Sequence, residues 1–173
     1  DGVLADARQL GVHGVGLGGL LHVHADLGRG VVLPDEGGTQ ELVEQAREKI
    51  AAWCNDVVAV EMADRRDFTR PDGSRPKIAV ASIQTLRQRL AHVPRNAFRI
   101  VVVDEAHHAT ADSYRAVLDH FDAHLLGVTA TPDRSDRVPL GEVFSAVAFE
   151  YDMRTAIQDG WLCPIRSFLV QTQ

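Results

Sequence analysis

The sequence predicts an α/β fold, a parallel sheet flanked by helices on both faces, and three observations carry that prediction. Short aliphatic runs recur at Val57–Val60, Lys77–Ser82, Arg99–Val103, Leu125–Thr129 and Val147–Tyr151. Stretches with helical spacing of apolar residues lie between and around them, at Gln40–Ile50, Ile83–Leu90, Asp112–Phe121 and Asp152–Asp159. Continuous aliphatic strands, rather than alternating ones, suit a sheet buried on both faces. Finally, three of the runs break into polar or small residues at their carboxyl ends, the edge where sheets of this class bind ligands.

Ten of the fourteen glycines fall in residues 1–40, and the texture changes sharply after them. The stretch Gly11-Val-His-Gly-Val-Gly-Leu-Gly-Gly-Leu-Leu-His-Val-His24 has neither a helical nor a two-residue period, and interior glycine weakens either element. Residues 1–38 are therefore expected to be irregular, with a short strand at Gly30–Leu33. Thr39 is placed to cap the first helix, whose acids lie early and bases late, as the helix dipole favours. Its apolar stripe is Leu42, Val43, Ala46, Ile50 and Trp53. Met62–Pro76 reads as a polar connection, and Gly160 stops the last helix.

Composition narrows the function classes. At 173 residues the chain is one domain, or one plus part of a second. Cys54 and Cys163 are too few for a disulfide framework or a zinc knuckle, so a reducing, cytoplasmic setting is expected. No apolar run approaches the roughly 20 residues of a membrane span. A net charge of −6 argues against attachment to nucleic acid by bulk electrostatics, although a motor can touch a backbone through a few loops. The chain opens on Asp1 rather than Met, which suggests a fragment.

The chemistry concentrates in Ile100-Val-Val-Val-Asp-Glu-Ala-His-His-Ala109. An acid at a strand end can hold Mg²⁺ through a water shell, and its neighbour can orient a water in line with a phosphate. Alternation sends Asp104 and Glu105 in different directions, which suits two roles. The bland alternative is that Asp-Glu merely begins a solvated loop. A zinc hydrolase built on His107 and His108 lacks ligand spacing, since adjacent residues rarely ligate one ion, and His22-Val-His24 has no nearby acids.

Several elements in order carry a resemblance. Asp104-Glu-Ala-His107 resembles the DEAH box of the superfamily 2 helicases, and Gly127-Val-Thr-Ala-Thr-Pro132 resembles their motif III. Ala81-Ser-Ile-Gln-Thr-Leu86 is similar to the nucleic-acid-contacting element upstream of the box. Phe149–Pro164 is similar to the segment that closes the first motor domain in the restriction-enzyme and DNA-repair branch. The resemblance runs from about Glu41 to the C-terminus and implies a RecA-like domain of the P-loop NTPase type. It implies ATP and Mg²⁺ as cofactors, with Asp104 holding the ion and Glu105 activating the hydrolytic water. His107 would link that site to the coupling segment Thr129, Ala130 and Thr131. Ser82, Gln84 and Thr85 would lie along nucleic acid, DNA by the branch resembled, with RNA left open by the sequence itself. A second RecA-like domain would complete the cleft.

One departure qualifies these expectations. The family's phosphate loop, Gly-x-x-x-x-Gly-Lys-[Ser/Thr], is absent from the sequence: neither Lys49 nor Lys77 follows a glycine, and Gly14–Gly19 has no lysine. Residues 1–38 are accordingly expected to be an aberrant, out-of-frame or rearranged segment whose strand and phosphate loop are degraded or missing. Residues 39–166 would be the partial motor domain, and 167–173 the start of a link to the second. The second domain would bring an arginine finger, whose loss costs roughly 10³–10⁵ in rate. The chain by itself is therefore expected to be nearly inert; the alternative is a degenerate, non-catalytic binding module on the same fold.

Overall fold

Alternation along the strands sorts the sheet's aliphatic side chains onto two faces, and helices cover both. The structure, a computed structural model, describes residues 2–5, 29–34, 40–54, 57–68, 74–130 and 140–166. Among these, eight strands form one sheet: β1 (Gly2–Ala5), β2 (Gly30–Leu33), β3 (Val58–Met62), β4 (Arg65–Arg66), β5 (Ile78–Ala81), β6 (Ile100–Val103), β7 (His124–Thr129) and β8 (Ala146–Glu150). The helices are α1 (Gln40–Cys54), α2 (Ile83–Arg89), α3 (Asp112–Leu118) and α4 (Met153–Gln158). Strand order is β4-β3-β5-β2-β6-β7-β1-β8. Each predicted strand and helix is present within a few residues of its expected bounds.

The sheet is mixed rather than wholly parallel. β3, β5, β2, β6 and β7 form the parallel core. β4 returns antiparallel to β3 because only Ala63 and Asp64 separate the two, far too short a link for a parallel crossover. β1 also runs antiparallel, between β7 and β8, with Gly2 beside Thr129 and Ala5 beside Leu126. The short strand expected at Gly30–Leu33 sits at the centre of the core, between β5 and β6. The sheet thus draws on residues before 39, inside the stretch expected to be irregular. Thr39, proposed as a helix cap, lies outside the described residues.

On one face Val31, Leu33, Ala79, Ala81, Val101 and Val103 pack with Ile83 and Leu86 of α2 and Tyr114 and Val117 of α3. The other face presents Val58, Val60, Ile78 and Val80 to Val43 and Ile50 of α1. Within the expected stripe of α1, Leu42 is 42% exposed, so Val43 and Ile50, seven residues apart on one side of the helix, carry the packing. The α4 helix starts at Asp152, whose carboxylate accepts from the Thr155 amide at 2.8 Å, and these hydrogen bonds hold its pKa below the ordinary carboxylate value.

One buried charge ties α2 to the β3–β4 hairpin. Glu61 is 3% exposed and pairs with Arg89, which also donates to the carbonyls of Ala63 and, at 2.9 Å, Arg65. A buried pair of this kind costs desolvation to form, but removing one partner strands the other. Arg89→Met is therefore expected to destabilise the chain by about 3–5 kcal/mol in urea denaturation, and adding Glu61→Leu should recover most of that loss. If the double variant is as unstable as the single, the pair does not organise this corner.

Candidate functional site

The parallel core brings the ends of β2, β5, β6 and β7 to one edge, and every described site candidate lies there. Asp104 extends the ladder by one residue, donating its amide to the Leu33 carbonyl at 2.9 Å. The chain then reverses abruptly. Glu105 adopts a left-handed backbone, φ 49° and ψ 51°, a conformation costing roughly 1–3 kcal/mol for a residue with a side chain. The reversal opens a 3-10 turn over Ala106–His108, closed by His108 N to Glu105 O at 3.0 Å and Ala109 N to Ala106 O at 2.9 Å.

This turn swings His107 back over the sheet. Its Nδ1 lies 3.3 Å from Thr129 Oγ1 and 3.1 Å from Glu105 Oε2. Thr129 is buried, and the imidazole is nearly so at 12% side-chain exposure. Asp104 and Glu105 instead face outward, with Asp104 Oδ1 accepting from the Glu105 amide at 3.0 Å. The structure therefore brings Glu105, His107 and Thr129 into one connected cluster beside Asp104. Ala130 follows directly and is exposed. Thr131, His22, His24 and Gly14–Gly19 lie outside the described residues.

The donor set can be tested against magnesium. Among the described residues no three His, Cys, Asp or Glu side chains gather as they would around a directly ligated metal. The rings of His107 and His108 lie with centroids 4.1 Å apart, tilted at 47° to each other. A solvent-facing strand-end carboxylate does fit Mg²⁺, which keeps much of its water shell and takes only one or two protein oxygens. No phosphate-binding lysine accompanies it among the described residues. Lys77 precedes β5 at the opposite edge, and Lys49 is exposed on α1. The antiparallel β1 also runs from Gly2, beside Thr129, to Ala5, away from the acidic edge.

The three polar residues after β5 have distinct environments. Ser82 is 5% exposed and caps α2: its Oγ accepts from the Thr85 amide at 3.3 Å and donates to Thr85 Oγ1 at 2.9 Å. Thr85 Oγ1 also accepts from the Ala63 amide at 3.3 Å. Gln84 alone of the three is exposed. Residue patterns mark Gly127 only as the head of a motif and do not single out Phe144, although glycine inside an aliphatic strand is a recognised sign of close approach.

Comparison with known proteins places this geometry in context. Residues 37–134 match the family described as type III restriction enzyme, res subunit. The chain is 38% identical over 93 residues to a Saccharomyces cerevisiae protein named "Putative ATP-dependent helicase IRC3", covering 50% of this chain and 14% of that protein. It is 31% identical over 109 residues to the type I restriction enzyme EcoKI endonuclease subunit of Escherichia coli (strain K12), covering 50% of this chain and 9% of that one. The chain thus spans only a small share of the length of these relatives. The crystal structure of the Pyrococcus furiosus Hef helicase domain superposes with a TM-score of 0.54 at 21% identity, over 68% of this chain and 28% of that one, which shows the same fold.

The capping geometry separates structural from surface roles along Ser82–Thr85. Ser82→Ala is expected to cost about 1 kcal/mol of stability and Gln84→Ala less than about 0.5 kcal/mol, read by urea denaturation. Equal effects would contradict the capping role.

Proposed function

Because the chain belongs to the type III restriction enzyme res-subunit family and carries a RecA-like helicase motor domain, we propose that its parent couples ATP hydrolysis to movement along DNA. The observation that carries this reading is the cluster at the carboxyl edge, where Asp104, Glu105, His107 and Thr129 converge from β6 and β7. Magnesium-bound ATP would supply a γ-phosphate open to attack by water. Asp104 would hold the ion through its water shell, and Glu105 would orient the attacking water and take its proton. His107 stands between Glu105 and Thr129, and so relays changes at the acid to β7 and onward to Ala130 and Thr131. Gln84 offers a neutral amide that can make and release backbone contacts as a motor steps. Ser82 and Thr85 support it by fixing the start of α2.

A second reading has its own observation in favour. The sequence holds no Gly-x-x-x-x-Gly-Lys-[Ser/Thr], and the strand beside β7 runs away from the acidic edge. On this reading the chain by itself keeps the fold and the acids without hydrolysing nucleotide, and a second RecA-like domain alone would not restore the lost phosphate contacts.

The two readings agree on ancestry and differ on what the chain does alone. Titration with a fluorescent ATP analogue and Mg²⁺ is expected to show no saturable binding in the micromolar range, for the chain or for Asp104→Ala. Micromolar binding that Asp104→Ala abolishes would overturn the inert reading and establish a working nucleotide site.

A further inference from the structure

Gly127 lies directly beneath the turn that carries the acids. A Cβ built on it would fall 2.6 Å from Phe144 Cζ and 2.7 Å from Ala106 Cβ, closer than real methyl contacts come. Ala106 is 0% exposed and Phe144 3%, so neither has a free direction in which to yield. Register explains the approach. Val103 pairs with Gly127 across the parallel β6–β7 ladder, so the first residues beyond β6 fold back onto the strand at that level. Gly127 and Thr129 share one face of β7 by alternation. Gly127 receives the Ala106 methyl, while Thr129 receives the His107 ring.

Ala106 is flanked on one side by the left-handed Glu105 and on the other by His107, itself tied to Thr129. A displacement of Ala106 therefore cannot be absorbed locally and passes to both neighbours. We propose that Gly127 and Phe144 form a seat that sets the height of the acidic turn over β7, making them positioning residues for Glu105 and His107. Phe144 comes from the segment after β7, where its amide donates to Leu140 O at 2.9 Å. The seat therefore joins two separate parts of the chain beneath one turn. This inference rests on the nucleotide reading only for what the turn does, since the seat itself is a matter of packing.

The test uses the chain labelled at its histidine rings, observed by NMR at fixed pH without nucleotide, with the His107 signal assigned by its loss in His107→Gln. Gly127→Ala should move the His107 ring resonances and lower Tm by roughly 3–10 °C. Transferring the methyl, in Ala106→Gly/Gly127→Ala, should return the resonances most of the way to their original positions. Phe144→Leu, which removes the atom nearest the added methyl, should shift His107 while unfolding stays cooperative, and should lessen the damage done by Gly127→Ala. A Gly127→Ala chain that loses stability with His107 unmoved would reduce Gly127 to ordinary core packing, and a swap that restores nothing would overturn the seat. If Gly127→Ala fails to fold, Phe144→Leu decides: unmoved His107 resonances refute the proposal. Nucleotide titration of the unsubstituted chain tests the functional reading separately, because its failure leaves the ring signals untouched.

Discussion

The parallel pairing of β6 with β7 is the constraint on which the acidic edge depends. It places Val103 opposite Gly127, so that a chain leaving β6 can return over its neighbour only if that neighbour presents almost no side chain. Gly127 meets the condition, and the reversal then requires Glu105 to take up a left-handed backbone. Strain of this size persists only where surrounding structure over-determines it. Here that is the buried Ala106 methyl, the Phe144 ring and the His107–Thr129 contact. The carboxylates add only contacts within the turn, Asp104 Oδ1 to the Glu105 amide and Glu105 Oε2 to the His107 ring. Position is imposed on them from beneath.

The same division appears along the rest of the edge. Ser82 and Thr85 spend their hydroxyls on each other, on the Thr85 amide and on Ala63. A capped helix start and a hairpin bound to it by Arg89 and Glu61 form one unit, with Gln84 carried on its exposed side. Rigid support beneath a few outward polar groups means that little ordering entropy is lost at any contact those groups make.

Much of the fold was legible because its signals are local. Aliphatic runs such as Ile100–Val103 and helical spacing such as Val43 with Ile50 need no knowledge of distant residues. The direction of β1 and the central place of β2 were not legible, since glycine-rich stretches carry no period and pairing partners are non-local. The acids could be read because a charge pair after four buried aliphatics is conspicuous. The seat could not, because Ala106 and Gly127 read only as members of two separate motifs, Phe144 belongs to neither, and their meeting appears only once three segments come together. The Ser82 hydroxyl shows the opposite limit: its spacing to Thr85 fits a cap and a backbone contact equally well, and only the folded geometry reveals the cap.

At the acidic turn, the packing that supports the backbone is separate from the carboxylates it presents. What fixes the turn is packing internal to the sheet, and none of it requires a phosphate or an ion. A chain can therefore lose the lysine-bearing loop and still hold Asp104 and Glu105 in place. Selection on folding alone would preserve Gly127, Ala106 and Phe144, because replacing any of them disturbs a filled core. The solvent-facing carboxylates have no such protection, since a surface acid contributes little to stability.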